Sequence, residues 1–251
     1  MFKNYGPLAT EVYELTKPVG SSLNGDIDYY SQRLAGISGK ILEAGVGTGR
    51  MLLPLLEEGL TVEGLDQSAE MLAYCYQHLE SHQLSTPLYK ANLENFDLPA
   101  DYEAIIMPTA TFCLLETEAL AIKVLQNLYH HLLPKGRLII DLDLPFYPEV
   151  GEVITSTHAL SETVGITLER KTVAIDWLAQ HTITHLKYEK WQDGQLIGTE
   201  LQQLLLRWYG LTEFRLLLEQ VGFKDVSVSA DYDYLVAPVD SNQTITFEAH
   251  K

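Results

Sequence analysis

Residues Glu43 to Arg50 read EAGVGTGR, directly behind the apolar run of KILEAG. Glycines at three alternate positions, Gly45, Gly47 and Gly49, let the backbone take positive φ and let a ligand come close to its amides. Gly49 also leaves the start of the next helix unobstructed. A turn that cradles a dinucleotide has the spacing GxGxxG, with the third glycine three residues after the second. Here that position is Arg50, whose bulk opposes the close helix packing that a glycine would permit. What stands instead is an acid, Glu43, closing a strand ahead of GxGxG. Asp66 closes the next strand, TVEGLD. A carboxylate there can accept both hydroxyls of a ribose, or cap the following helix. Taken with the glycines, it points to a nucleoside.

The elements that must position these groups alternate. KILEAG, LTVEGLD, TPLYKANL, YEAIIMP and GRLIIDLDL read as five strands, separated by helical patterns, which is the signature of βαβ units and a parallel sheet. Ser68 is placed to cap AEMLAYCYQHL, whose Met71, Leu72, Cys75 and Leu79 share a face; Thr117 is placed to cap the helix carrying Leu120, Val124, Leu125 and Leu128. Pro134 and Gly136 in LLPKG end that helix. Beyond Pro148 the runs ITLERKTVAIDW, HTITHLKYEKW and QLIGTELQQLLLRWY are β-rich, and Asp193-Gly194 is a hairpin signal. TEFRLLLEQVGF restores a helix, and KDVSVSADY and TITFEAHK supply two last strands.

Composition excludes several classes of partner. The formal charge of -17, from 34 acidic and 17 basic residues, repels nucleic acid and anionic membrane surfaces and suits a neutral or cationic small molecule. No apolar run reaches the roughly 18 residues of a membrane helix, and the first residues lack a signal peptide's apolar stretch, so a cytoplasmic location is expected. Cys75 and Cys113 read as buried small hydrophobes, and no metal site is expected. His78, His82, His130 and His131 lie on predicted helices without metal-site spacing.

The order ILEAGVGTGR, VEGLDQSAEML, ANLENFDLP, YEAIIMPTATFCLL and LLPKGRLIIDL resembles the class I S-adenosylmethionine-dependent methyltransferases over about Gly39 to Asp143. The resemblance implies a Rossmann-like α/β fold with a seven-stranded, mostly parallel sheet ordered 3-2-1-4-5-7-6, the last strand antiparallel. It implies N-terminal lid helices over 1–36, a cofactor-binding core over 37–148 and 210–251, and an antiparallel β insertion over 149–209 covering the active site. It also implies S-adenosylmethionine as cofactor, with Gly45, Gly47 and Gly49 under its methionine part. Glu43 would orient the ammonium and Asp66 hold the ribose, with Gln67 and Met71 flanking the adenosine. Asn92 stands where the family often has aspartate; its carbonyl oxygen can accept from the adenine amino group, and Leu93 would offer a backbone amide. Met107 and Thr109, after the fourth strand, would line the cofactor and the substrate mouth.

The layout resembles the small-molecule branch, including N-methyltransferases of amino sugars and glycine-like amines, with Tyr13 as a lid tyrosine. An amine acceptor is slightly preferred over oxygen, since in-line attack on a sulfonium carbon depends chiefly on alignment and needs no base for an amine that arrives neutral. Asp143, His181 and His185 are the candidate catalytic groups. Trp177, Trp191, Trp208 and Tyr209 are candidates to stack on a cationic amine. A nicotinamide-dependent oxidoreductase and a non-catalytic cofactor sensor stand as alternatives. The assembly is expected to be a monomer or homodimer.

Overall fold

A computed structural model describes residues 5–144 and 149–251. In chain order the elements are α1 (Pro7–Thr16), α2 (Asp26–Leu34), β1 (Lys40–Ala44), α3 (Leu52–Glu57), β2 (Thr61–Asp66), α4 (Ala69–Ser81), β3 (Leu88–Lys90) and β4 (Tyr102–Met107). A 3-10 turn (Thr111–Leu114) follows, then α5 (Glu118–His130), β5 (Leu132–Asp143), β6 (Val153–Ala159), β7 (Val164–Asp176), β8 (His181–Gln192) and β9 (Gln195–Arg207). The chain closes with α6 (Leu211–Val221), β10 (Lys224–Ala230) and β11 (Thr244–His250).

The chain divides into two compact units: Met1–Pro18 with Tyr147–Arg207, and Val19–Phe146 with Trp208–Lys251. The larger unit holds a seven-stranded sheet ordered β10-β11-β5-β4-β1-β2-β3. β1 to β5 pair in parallel, and β11 runs antiparallel between β5 and β10. This is the expected Rossmann-like order, 3-2-1-4-5-7-6, with β11 as the seventh strand and β10 as the sixth. Parallel strands covered on both faces must be apolar on both, and β1 shows why: Ile41 packs with α2, α3 and α4, whereas Leu42 and Ala44 pack with α5 and α6. Ser68 and Thr117 cap α4 and α5 as expected, accepting from the Met71 and Leu120 amides at 3.2 Å each.

Three local features differ from the sequence-based expectation. LLPKG does not merely end α5; it already runs in β5, whose pairing with β4 shifts register between Tyr102 and Ala104. β6 adds a strand that the sequence does not announce; its exposed polar positions, Thr155 and Thr157 among them, hide the usual alternation. Helix α2 packs in the larger unit, where Ile27, Tyr30 and Leu34 join the core, while α1 belongs to the smaller one.

The smaller unit is an antiparallel sheet ordered β6-β7-β8-β9, with Ala9 and Val12 of α1 against Ile166, Leu168, Leu186 and Tyr188. Asp193 and Gly194 both have positive φ, 49° and 75°, as a two-residue hairpin of this twist requires. The Glu200 carboxylate accepts from the Leu8 amide (3.0 Å) at the start of α1, satisfying a donor that has no partner within the helix. Among the described residues no helix is long and apolar enough to cross a membrane.

Candidate functional site

The site is built where β1 and β2 end. Gly45 and Val46 donate their amides to the Leu65 carbonyl (2.7 and 2.9 Å), so the glycine turn is tied to the neighbouring strand. All three glycines have positive φ, yet they serve different ends. A methyl at Gly45 would lie 2.5 Å from Thr111 Cγ2, and one at Gly49 would lie 2.7 Å from Leu53 Cδ1 and 2.9 Å from Cys75 Sγ. Gly49 therefore provides the close approach of turn to helix. Gly47 has nothing within 4 Å of that position and faces open space.

Arg50 does not obstruct the helix. It is buried, pairs with Asp26 at the start of α2 at 2.5 Å, and donates to the Ser21 carbonyl at 2.8 Å. Its charge is thereby spent inside the protein. Asp66 accepts from the Gly47 amide (2.9 Å) and from the Ser68 amide (2.8 Å). Burial holds its pKa above the ordinary carboxylate value. The Gln67 amide donates to it as well; a carboxylate has about four acceptor positions, so capacity remains for a ribose hydroxyl.

Glu43 is buried, and its Oε2 has no hydrogen-bond partner. Burial pushes its pKa up to about 8, against the pull of Arg50, with Asp66 and Asp26 adding to the rise. A buried carboxylate in this state is a receptor for a cation. Thr48 Oγ1 and Ser21 Oγ are likewise buried without a hydrogen-bond partner. Together with open space at Gly47, this donor set fits an ammonium-bearing nucleoside cofactor.

The adenosine candidates gather beyond β2 and β3. Met71 is buried on the first turn of α4, and Gln67 beside it is exposed. Asn92 is exposed and Leu93 half-buried in a turn that Asn127 fastens, donating to the Leu93 and Phe96 carbonyls at 3.1 Å each. At the exit of β4, Met107 is fully buried, and Thr109 and Ala110 both adopt φ of 54°. Two successive non-glycine residues in that region are strained, which is common at functional sites. The Thr109 amide donates to Asp141 Oδ2 at 2.9 Å.

The catalytic candidates fare differently. Asp143 is exposed at the end of β5, its carbonyl near Cys113 Sγ at 3.9 Å. His181 and His185 lie in the smaller unit, on the face of β8 opposite the Leu186 and Tyr188 that α1 covers; His181 Nδ1 is buried without a hydrogen-bond partner. Tyr13 also belongs to that unit, half-buried and edge-on to Tyr5 at 6.4 Å. Tyr209 is a core ring, 5.5 Å from both Phe112 and Phe214, and does not serve as a stacking surface. Part of DLDLPFYP lies outside the described residues.

Sequence reasoning missed Asp141. It is fully buried, and accepts from Tyr30 and Thr246 on Oδ1 (2.9 and 2.8 Å) and from Tyr232 and Thr109 on Oδ2 (2.9 Å each). The signal was present in LIIDLDL, an acid inside an apolar central strand, which must find partners to be buried.

A family profile described as a methyltransferase domain matches residues 41–136. The chain is similar to the putative methyltransferase YqeM of Bacillus subtilis (strain 168), 24% identical over 214 residues that cover 85% of this chain and 84% of the relative. It is 38% identical over 104 residues to the glycine/sarcosine N-methyltransferase of Halorhodospira halochloris, covering 41% of this chain and 39% of the relative. Among solved structures, the sugar N-methyltransferase KedS8 from Streptoalloteichus superposes with a TM-score of 0.78 at 16% identity, over 100% of this chain and 95% of that one.

Proposed function

We propose that the chain, whose residues 41–136 match a methyltransferase-domain profile and whose fold is that of S-adenosylmethionine-dependent methyltransferases, is itself such an enzyme, that its acceptor is a small molecule and that an amine nitrogen is preferred over oxygen. The observation that carries this reading is the electrostatic character of the larger unit's site. Glu43, Asp66 and Asp141 are acidic groups near strand ends, and Arg50, the cation that acts on Glu43, is already paired with Asp26. Such a field favours a sulfonium and a cationic or amine-bearing acceptor over an anionic one. The shared stretch with the glycine/sarcosine N-methyltransferase, a protein named for amine substrates, supports the same preference.

On this reading Gly45, Gly47 and Gly49 carry the methionine part of the cofactor and Glu43 receives its ammonium. Asp66 holds the ribose; Gln67, Met71, Asn92 and Leu93 hold the adenosine; Met107 and Thr109 line the reacting end, and Tyr13 closes as a lid. Bound, the cofactor supplies an electrophilic methyl group. The protein's task is to align the acceptor and exclude water, with Asp143, His181 and His185 as the groups to accept a proton. The protein acts in the cytoplasm as a monomer or homodimer.

The test is release of S-adenosylhomocysteine across a panel of primary and secondary amines, amino sugars and phenols. Turnover with one or more amines and little with phenols is expected. Turnover confined to phenols would overturn the amine preference.

A further inference from the structure

Beyond its charge, Asp141 has no role in the chemistry described so far, yet its buried carboxylate accepts four hydrogen bonds. Its four donors come from four separate segments: Tyr30 of α2, the Thr109 amide after β4, Tyr232 after β10, and Thr246 of β11. Two of those segments are held in unfavourable backbone. Thr109 and Ala110 both have φ of 54°, and Asp231 and Tyr232 have φ of 50° and 60°. For a β-branched residue such as Thr109 this region is costly, and it persists only where surrounding bonds enforce it.

The turn that Thr109 opens reaches the glycine turn directly. The Thr111 hydroxyl and amide both donate to the Pro108 carbonyl, at 2.9 and 3.3 Å, closing the turn on itself. Thr111 Cγ2 then lies 2.5 Å from where a Cβ at Gly45 would stand. A continuous path of contacts thus runs from the Asp141 carboxylate through Thr109 and Thr111 to Gly45.

We propose that Asp141 is a positioning residue, which through the Thr109 amide holds the β4 exit in its left-handed backbone and so seats Thr111 against the cofactor turn. The proposal rests on the glycine turn being the cofactor turn. Asp141 binds no ligand itself; it fixes the shape that Gly45 and Gly47 present.

Its charge state is a handle on this role. Burial raises the Asp141 carboxyl to about 6, against the pull of its four donors. Facing groups are Tyr30 and Tyr29 from α2, Tyr232 from the loop after β10, and Cys113 from the 3-10 turn, with Asp26 and Arg50 behind Tyr232. Burial raises Tyr29, Tyr30, Tyr232 and Cys113, so these four stay protonated near neutrality.

The experiment uses the full-length, nitrogen-15-labelled chain. The Thr109 amide resonance is followed from pH ~5 to ~8, and S-adenosylhomocysteine affinity is measured by calorimetry at fixed neutral pH. The Thr109 amide should titrate with a midpoint near 6 in the wild type. Tyr232→Phe removes a donor to the carboxylate and should move that midpoint upward. Asp141→Asn should abolish the titration, because an amide does not ionise, and should weaken binding about tenfold. Should Asp141→Asn fail to fold, Tyr232→Phe and Thr246→Val keep the carboxylate and carry the same test through the midpoint. A Thr109 amide that does not respond over this range overturns the proposal, as does wild-type affinity in a folded Asp141→Asn. Loss of all binding in the wild type would instead refute the cofactor assignment.

Discussion

Glu43 closes β1 and Asp141 lies near the end of β5, on strands separated only by β4, and both are carboxylates buried in one sheet. Asp141 is saturated, with four donors on its two oxygens; Glu43 leaves Oε2 with none. Their acidities follow, about 6 for Asp141 and about 8 for Glu43. An acid whose donors come from the protein is committed to holding the protein together. One that lacks them is committed to something that arrives later, and the absent donor predicts the ligand's charge.

The contrast can be broken most severely at Arg50, which pulls the Glu43 pKa down while pairing with Asp26. Arg50→Met leaves Asp26 buried without its counter-ion, and should cost about 3–5 kcal/mol of stability in denaturant unfolding. Glu43→Gln should act oppositely on stability and binding. It should weaken S-adenosylmethionine affinity about 30-fold or more in calorimetry, the scale of deleting one partner of a buried charge pair, while stabilising the ligand-free protein at alkaline pH.

That second effect has a definite pH window. The folded protein holds a proton on Glu43 up to about 8, whereas the unfolded chain releases it near ~4.3. Between those values the native state binds more protons than the unfolded state, so this group's contribution to stability falls as pH rises and levels off above the folded value. Thermal unfolding of wild type and Glu43→Gln should therefore diverge through that window in favour of the variant. Asp141 should show the same sign over a narrower span, ending near 6.

A smaller effect is expected at Gly47. Its positive φ strains any side chain there by about 1 kcal/mol, and the methyl of Gly47→Ala would enter space that is open in the protein. Binding should weaken about tenfold, with little loss of fold. Gly49→Ala should do the reverse, destabilising the fold through Leu53 and Cys75.

Most of the larger unit was legible because parallel strands and their helices repeat a pattern that physics enforces. KILEAG, TVEGLD and YEAIIM must be apolar to be buried on both faces, and Ser68 and Thr117 mark helix starts by chemistry that acts within three residues. The glycine turn behind Glu43 was legible as a turn for the same reason, since its residues are contiguous. Asp141 was not, because its four partners lie 32 to 111 residues away along the chain. Arg50 was read as an obstruction because its partner, Asp26, sits 24 residues earlier with no local pattern to announce it. The smaller unit was legible at its Asp193-Gly194 hairpin and not at β6, whose exposed polar strand resembles a loop.

The central claim is that the glycine turn, with Glu43 behind it, receives the ammonium end of S-adenosylmethionine. Calorimetric titration of the wild-type chain with that cofactor, repeated for Glu43→Gln across pH ~6 to ~9, tests it most directly. Wild type should bind one equivalent, with an affinity that rises towards pH 8 as Glu43 ionises, and the variant should bind more weakly with most of that slope lost. Equal affinity in the two proteins, or no binding in the wild type, would contradict it.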